Sequence, residues 1–245
     1  MKAVRILYSL ICYGLGVATL IYLILFIGDL YMPVTISKAS SMSPVLTGVA
    51  AFALNLILIA IWGYQHSLMA DPGFKAKWTK IVPASVERST YLVFVAIFTA
   101  ILVLFWSPMN DTIWNLEGSI WGQILWVLFF AGWTITFIST FLINHFHLFG
   151  LQQAYQGIDD TESKEATFTT PLFYKLVRHP IMTGVFIAVW SAPHMTTGRL
   201  VLAVGMTLYI WLGVRHEEKT LIADLGDQYR DYKKTTGSII PGIKF

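Results

Sequence analysis

The chain has 245 residues, of which 56% are hydrophobic and 13% are charged, and its mean hydropathy is +0.62. Soluble domains contain about 45–50% apolar and about 25% charged residues, so this composition excludes a soluble globular enzyme and predicts an integral membrane protein. The net charge is only +3 and the basic residues are spread over loops, so nucleic acid is not an expected partner. The single cysteine, Cys12, lies in an apolar run, and no Cys/His cluster has metal-ligand spacing, so no metal site is expected.

Six apolar segments of the sequence approach or exceed the length needed to cross a bilayer, which is about 20 residues for a helix. In chain order they are Val4–Ile27, Val45–Trp62 or beyond, Tyr91–Trp106, Ile120–Ile143, Ile181–Ala192 and Leu200–Val214. Runs this long and this uniformly apolar are typical of helices and not of barrel strands. The sequence therefore predicts an all-α integral membrane protein with five to six transmembrane helices.

The last two apolar segments predict a C-terminal helical hairpin. They are separated by the turn-forming stretch Pro193–Gly198, and the first arm, Ile181–Ala192, is short enough to span only with tilt or with its flanks included. The first apolar segment has the basic residues Lys2 and Arg5 at its start, as in a signal peptide, but it exceeds the apolar core of about 7–15 residues found in signal peptides. We expect one membrane domain over 1–245, with four spans in 1–143 and a pocket, the hairpin and the tail in 144–245.

Loop charges predict the orientation of the chain. The loop 67–89 contains lysine and arginine at four positions, Lys75, Lys77, Lys80 and Arg88, whereas the loop 107–119 contains only the acidic residues Asp111 and Glu117. Because basic loops face the cytoplasm, the N-terminus, the loop 67–89, the segment 144–180 and the C-terminal tail are expected on that side. The expected location is the inner membrane of a bacterium.

Unusual polar residues collect in three stretches near the end of the sequence, apart from those in the loop 67–89. These stretches are Asn144–Tyr155, Pro171–Gly184 and Arg215–Lys234. All three fall on the predicted cytoplasmic side. The fourth span, the hairpin and the tail are therefore expected to surround one pocket at the inner membrane surface.

The motif Arg178-His179-Pro180 stands directly before the first arm of the hairpin. One interpretation is a basic flank followed by a proline in the first helical turn, where its missing N–H costs nothing. The other is an anion site, in which free N–H groups at a helix start lie beside a guanidinium. Gly184 follows four residues after Pro180, and its lack of a side chain would let a ligand or a neighbouring helix come close.

Two adjacent acids, Glu217 and Glu218, follow the last apolar segment. One interpretation is a solvated helix end. However, carboxylates at a helix C-terminus interact unfavourably with the helix dipole, so a positively charged partner is predicted for them. Beyond them, apolar and tyrosine side chains recur at helical spacing at Leu221, Leu225, Tyr229 and Tyr232. This stripe predicts a cytoplasmic amphipathic helix on the membrane surface, with its lysines and arginines toward water.

Histidines suggest a proton acceptor more than a metal or haem ligand. His145 and His147 are two residues apart, about 200° around a helix, so they cannot bind one metal from one helix face. His66 is another isolated histidine at a span end, and a haem held by two such histidines is an alternative. His145 is a candidate base because histidine titrates near neutral pH; the alternative for any single histidine here is a structural role.

The motifs together resemble the integral-membrane methyltransferases, the group that includes isoprenylcysteine carboxyl methyltransferases and phospholipid methyltransferases. Their common form, RHPxYxG…EE…L…FGxxYxxYxxxxP, is matched by RHPIMTG and EEKTLIADLGDQYRDYKKTTGSIIP, with Met182 for the tyrosine and Leu225 for the phenylalanine. Within this group, NHFHLFGLQQAY, TTPLFYKLVRHP and WSAPHMTTGRL resemble the methanethiol S-methyltransferase family. That family tends to read HFELFGLRQ, whereas this chain has His147 for the acid and Gln152 for the arginine.

The resemblance implies that S-adenosylmethionine binds in a cytoplasm-facing pocket without a Rossmann domain. Carried over by position, Arg178 and His179 with Pro180 would hold the amino-acid end and the adenosine from one side, with Gly184 nearby. Glu217 or Glu218 would face the cationic ammonium and sulfonium groups from the other side. Further cofactor contacts are expected at Tyr174 and Gln153.

The implied reaction is methyl transfer to a small thiol, methanethiol, which gives dimethyl sulfide. The thiolate is the nucleophile, so one proton must be accepted, and the candidate catalytic residues are His145, Tyr174 and Glu218. The small thiol can reach the site through the bilayer. Two alternatives stay open at this point: a methyltransferase of the same superfamily acting on a prenylcysteine carboxylate or a phospholipid amine, and a non-enzymatic haem-binding or assembly protein.

Overall fold

The computed structural model describes residues 2–157 and 169–244, and this part of the chain is dominated by helices. The α-helices are α1 (Lys2–Gly28), α2 (Gly48–Ala70), α3 (Pro72–Trp78), α4 (Ala84–Phe105), α5 (Ile120–Ile143), α6 (His145–Leu148), α7 (Leu151–Gln156), α8 (Pro180–Trp190), α9 (Thr197–Leu225) and α10 (Asp227–Thr235). A 3₁₀ helix covers Leu172–Lys175, and two short strands are β1 (Thr112–Asn115) and β2 (His194–Thr196). The expected all-α membrane fold is confirmed.

Five helices, α1, α2, α4, α5 and α9, are long and apolar enough to cross a membrane. They overlap the five longer segments predicted from hydropathy, and α5 has the predicted bounds at both ends. Helix α8 has 11 residues, which gives a length of about 16 Å at 1.5 Å per residue. Because a bilayer core is about 30 Å thick, α8 is too short to cross it alone.

The described chain divides into two compact units. The first consists of Met1–Met109 with Asn144–Thr167, and the second of Asn110–Ile143 with Phe168–Phe245. Within the first unit, α4 packs against α1 and α2, and α7 packs against α1 and α4. The part of the predicted inward-facing segment 144–180 that lies between residues 158 and 168 is outside the described residues.

In the second unit, α8 packs between two long helices, α5 and α9. The hairpin predicted for α8 and α9 is confirmed, and the strands β1 and β2 pair in an antiparallel ladder that the sequence did not predict. The ladder joins the loop before α5 to the turn between α8 and α9. It is extended by the N–H of Thr197, which donates to the carbonyl oxygen of Asp111 at 2.9 Å.

The stripe from Leu221 to Tyr232 does not form one amphipathic helix. Helix α9 ends at Leu225, Gly226 adopts a positive φ of 59°, and α10 starts at Asp227. Glycine is favoured at such a φ because a Cβ is strained there. The break turns α10 back so that its Tyr229 is buried in the second unit, and α10 packs on α9.

Candidate active site

The segment directly before α8 is held by main-chain hydrogen bonds to residues that follow α10. Val177 forms a parallel bridge with Gly237. The N–H of Arg178 donates to the carbonyl oxygen of Gly237 at 2.8 Å, and the N–H of His179 donates to that of Ser238 at 3.1 Å. This pairing fixes the backbone that carries the arginine and the histidine of the RHP motif.

Glu218 is the centre of a group of charges, which we call the Glu218 cluster: the buried residues Arg178, His179 and Glu218, and the partly exposed Lys233. The Glu218 side chain is 3% exposed, and its carboxylate lies 2.7 Å from Arg178 Nε, 3.1 Å from His179 Nε2 and 2.6 Å from Lys233 Nζ. The Arg178 guanidinium also donates to the carbonyl oxygen of Thr236. A buried charge is tolerated when it is paired and hydrogen-bonded, so this cluster joins α9, α10 and the segment before α8.

Glu217, the neighbouring acid, has a different environment. Its side chain is 52% exposed, and its carboxylate lies 3.3 Å from His179 Nδ1. Glu218 already faces three cationic side chains, whereas Glu217 presents a half-exposed carboxylate toward solvent. Of the two acids that the sequence could not separate, Glu217 has the greater capacity to receive a cation from outside the chain.

His179 bridges the two acids with its two ring nitrogens. Burial on its own lowers the pKa of this imidazole, but the hydrogen bonds and negative charges of Glu217 and Glu218 outweigh it and raise the pKa above the usual 6.5. His179 therefore keeps its positive charge to higher pH than a free histidine. With His179 charged, the two carboxylates face three cations.

Two tyrosines border the cluster. The hydroxyl of Tyr232, on α10, donates to the carbonyl oxygen of Tyr174 in the 3₁₀ helix. Burial and the nearby charge of Glu217 raise the pKa of the Tyr174 phenol, and burial, opposed by Arg178, raises that of Tyr232 to about 12. Both phenols stay protonated at neutral pH, so Tyr174 is suited to donating a hydrogen bond and poorly suited to accepting a proton.

Pro180 and Gly184 lie on the first turns of α8. Pro180 is the first residue of the helix, as predicted, and His179 is its N-cap. A Cβ built on Gly184 would lie 2.3 Å from the Gly132 carbonyl oxygen and 2.3 Å from Thr136 Oγ1. The lack of a side chain at Gly184 therefore lets the backbone of α5 come close. Close approach of a neighbouring helix was one of the two roles predicted for this glycine. Its role as a cofactor contact stays a prediction.

The prediction that Glu217 and Glu218 lie at a helix C-terminus is wrong. Helix α9 continues to Leu225, about two turns beyond Glu218. The predicted positive partner of Glu218 is provided by the chain itself, through Arg178 and Lys233. Lys233 was predicted to point toward water with the other basic residues of α10, and that prediction is wrong.

The other two site candidates, His145 and Gln153, belong to the first unit. His145 is buried, and its Nε2 lies 2.9 Å from the hydroxyl oxygen of Tyr13 on α1. Burial lowers the pKa of His145, which keeps the imidazole neutral and able to accept a proton at pH 7. Gln153 is buried as well, and its Nε2 donates to the carbonyl oxygen of His147 at 3.0 Å.

Sequence reasoning missed Lys233 and Tyr13 as members of these two groups. Lys233 is 15 residues from Glu218, but the break at Gly226 removes any helical periodicity that would have paired them. Tyr13 is 132 residues from His145, inside a span whose pattern is otherwise apolar. The same helix also contains Tyr8 and Tyr22, so the sequence did not single out Tyr13.

Comparison with known proteins agrees with the motifs. The chain is 39% identical over 238 residues to a methanethiol S-methyltransferase of Crocosphaera subtropica, covering 97% of this chain and 92% of the relative. It is 40% identical over 240 residues to a methanethiol S-methyltransferase of Mycobacterium tuberculosis, covering 98% and 97%. A more distant relative, Nurim of Rattus norvegicus, is 30% identical over 176 residues, covering 68% of this chain and 66% of Nurim.

No protein-family model matches the chain, and no solved structure matches it. The identity to the two bacterial relatives nevertheless extends over nearly the whole of each sequence. The aligned region therefore spans nearly the whole of this chain. The chain belongs to the methanethiol S-methyltransferase family.

Proposed function

We propose that this protein is an S-adenosylmethionine-dependent S-methyltransferase that converts methanethiol to dimethyl sulfide at the cytoplasmic face of a bacterial inner membrane. The observation that carries the proposal is the 37–40% identity, over nearly the full chain, to relatives that bear the name methanethiol S-methyltransferase. The five apolar helices provide a membrane setting in which a small apolar thiol dissolves.

The residues around the Glu218 cluster fit the charge pattern of the cofactor. S-adenosylmethionine carries a carboxylate together with an ammonium and a sulfonium group, and it would supply the methyl group from the positively charged sulfur. Glu217, half-exposed, suits a cationic group. Arg178 and His179 supply positive charge for the carboxylate, and the Tyr174 phenol, kept protonated by its raised pKa, supplies a hydrogen-bond donor.

Within this assignment the two acids have different tasks. Glu218 is a positioning residue, because its carboxylate is saturated by three cationic side chains and holds Arg178 and His179 in place. Glu217 touches the cofactor. Pro180, Gly184 and Gln153 remain proposed contacts on the strength of their place in the family motifs.

The acceptor thiol must lose its proton, because the thiolate is the nucleophile and an ordinary thiol with a pKa near 8.5 is mostly protonated at neutral pH. We assign the proton acceptor to His145. Its lowered pKa keeps the imidazole neutral, and Tyr13 holds the ring through the 2.9 Å contact at Nε2. Tyr174 is the weaker candidate, because its raised pKa keeps the proton on the phenol.

Alignment of the thiol sulfur with the methyl group is the second task of the chain, and it contributes several kcal/mol in comparable reactions. A positioned base contributes about 10²–10⁴-fold in rate. The carbon–sulfur bond to the acceptor forms as the carbon–sulfur bond to the donor breaks. The proton of the thiol goes to the base and then to solvent, so the reaction needs no further reactant.

The test is headspace gas chromatography on the purified protein in lipid nanodiscs, supplied with S-adenosylmethionine and methanethiol. We expect dimethyl sulfide from the wild type and a strongly reduced yield from Glu217→Gln, which removes one charge from a half-exposed side chain. The matched control is Glu117→Gln, because Glu117 is an exposed acid outside the cluster, and it should leave the yield unchanged.

Parallel reactions with a prenylcysteine and with a phosphatidylethanolamine test the two larger acceptor classes. Methylation of either, with no dimethyl sulfide, would replace the thiol in this proposal while keeping the cofactor. Failure of all three acceptors together with failure to bind S-adenosylhomocysteine would refute the proposal as a whole.

The proposed sidedness is supported by the basic residues of the loop 67–89 against the acidic loop 107–119. A green fluorescent protein fused after the last residue should fluoresce, because it folds in the cytoplasm and not after export to the periplasm. If the full-length fusion does not fluoresce, and a reporter that is active only in the periplasm is active at the same position, the proposed orientation is wrong.

A further inference from the structure

Four exposed arginine and lysine side chains lie on α9 and α10, and they differ in whether an acid pairs with them. On α10, Arg230 and Lys234 each form an ion pair with an aspartate three residues earlier, at 2.7 and 2.8 Å. On α9, Arg215 and Lys219 have no carboxylate partner among residues 2–157 and 169–244. The positive charges of these two side chains are therefore available to a group from outside the chain.

The two acids that lie between these cations in the sequence do not neutralise them. Glu217 follows Arg215 by two residues, about 200° around the helix, and its carboxylate lies 3.3 Å from His179 Nδ1. Glu218 is buried and also contacts His179, whereas Arg215 and Lys219 are exposed. The cations and the acids thus lie on different faces of α9.

Arg215 and Lys219 continue an exposed apolar stripe along α9. Residues three or four positions apart share one face of a helix, and the exposed side chains of Val204, Leu208 and Trp211 precede Arg215 at these spacings. In a membrane protein such a stripe faces lipid. Along one face of the helix, the surface therefore changes from apolar side chains to two cations.

The position of the two cations along α9 agrees with the thickness of a bilayer. The helix begins at Thr197, and at 1.5 Å per residue Arg215 lies about 27 Å and Lys219 about 33 Å along its axis. The hydrocarbon core is about 30 Å thick. The two side chains therefore reach the level of the lipid phosphates while the stripe before them lies in hydrocarbon.

An aromatic ring orients the guanidinium of Arg215. Its Cζ lies 3.8 Å from the centroid of the Trp211 ring, within the ~6 Å of a cation–π interaction, and tryptophan is typical of the membrane interface. A guanidinium presents a planar set of donors that binds phosphate through two parallel hydrogen bonds, and a lysine adds a point charge. Lys219, four residues after Arg215, is close enough to act on the same phosphate.

We propose that Arg215 and Lys219 bind the phosphate of an anionic phospholipid whose acyl chains lie along the exposed apolar stripe of α9. The phosphate supplies the negative charge that this face of the helix lacks, and the acyl chains cover Leu208 and Leu212. A zwitterionic lipid binds less tightly, because its own cationic group offsets the attraction. The site lies on a different face of α9 from Glu217, and it does not depend on the proposed function.

The experiment measures lipid binding to the full-length protein by native mass spectrometry from detergent micelles. Dioleoyl phosphatidylglycerol is compared with dioleoyl phosphatidylcholine, which has the same acyl chains and a headgroup of zero net charge. We expect the wild type to bind the first phosphatidylglycerol more tightly than the first phosphatidylcholine. Excess glycerol phosphate, which carries the phosphate without acyl chains, should not displace the lipid.

Substitutions locate the site. Arg215→Gln and Lys219→Gln should each weaken phosphatidylglycerol binding about fivefold, the loss expected for one basic side chain at a membrane surface, and the double variant about 25-fold. Trp211→Leu keeps both charges and should weaken binding about two- to fivefold, because it removes the cation–π contact. The matched control combines Arg230→Gln with Lys234→Gln, which removes two cations that are paired within the chain, and it should bind like the wild type.

The control separates a site from general charge attraction. Both pairs of cations are exposed, so both double variants should unfold at the wild-type temperature in the absence of added lipid. Equal loss of binding in the two double variants would show that overall charge attracts the lipid and would overturn the proposal. Equal affinity for the two lipids, or displacement by glycerol phosphate, would overturn it as well.

Discussion

Neutralising Glu218 tests the reasoning about the buried cluster most directly. The substitution Glu218→Gln keeps the shape of the side chain and one acceptor oxygen, but it leaves Arg178, His179 and Lys233 without their shared negative charge. Removing one partner of a buried ion pair costs about 3–5 kcal/mol. That is a large part of the ~5–15 kcal/mol that stabilises a typical domain.

The expected readout is a fall in unfolding temperature. For chains of about 150–250 residues, 1 kcal/mol corresponds to about 2–4 °C, so Glu218→Gln should lower the transition by about 6–20 °C. Tryptophan fluorescence during heating, on protein in nanodiscs, measures this. The control is Glu217→Gln, whose half-exposed ion pair with His179 is worth about 0–1 kcal/mol and should shift the transition by a few degrees at most.

A double substitution shows whether the loss comes from uncompensated charge. Adding Arg178→Met to Glu218→Gln removes the buried guanidinium together with its partner, so the combined loss should be smaller than the sum of the two single losses. Strictly additive losses, or a Glu218→Gln transition within 2 °C of the wild type, would show that the ion pair is not what holds α9 to the segment before α8.

Three further outcomes follow from the geometry. Gly184→Ala places a methyl group 2.3 Å from the α5 backbone and should destabilise the protein by about 1–3 kcal/mol. The control Gly213→Ala, inside α9 with open space around it, should keep or slightly raise the unfolding temperature, because alanine is favoured over glycine in a helix. The raised pKa of His179 adds stability that is complete below pH 6.5 and is lost as pH rises through the raised pKa. The unfolding temperature of His179→Gln should therefore depend less on pH between pH 6 and pH 9 than that of the wild type. His145→Gln should lower kcat about 10²–10⁴-fold and Tyr13→Phe by less, with headspace chromatography as the assay; full activity of His145→Gln at every pH would remove histidine as the base.

The membrane helices were predictable because a bilayer imposes one simple requirement on sequence. A helix in hydrocarbon needs an apolar side chain at nearly every position. The apolar segment in the sequence therefore has the same first and last residues as α5. The same criterion gave the wrong end for α9: hydropathy predicted that the segment ends at Val214, whereas the helix continues to Leu225. Beyond Val214, the buried carboxylate of Glu218 is paired with Arg178 and Lys233, and hydropathy alone does not detect such a pair.

The composition of the charged cluster was only half predictable. Motif resemblance identified Arg178, His179 and the acids at 217 and 218, but it did not show which acid is buried. That distinction depends on Lys233, which reaches Glu218 only because the chain reverses at Gly226. Contacts of this kind depend on tertiary folding, and no local pattern in the sequence encodes them.

The spacing of the Glu218 cluster along the chain has a consequence for biogenesis. Arg178 is synthesised 40 residues before Glu218 and 58 residues before Thr236. During this interval the guanidinium stands at the start of a helix too short to cross the bilayer, with none of these partners yet made. Closure of the cluster therefore has to wait until the chain has been synthesised as far as Thr236.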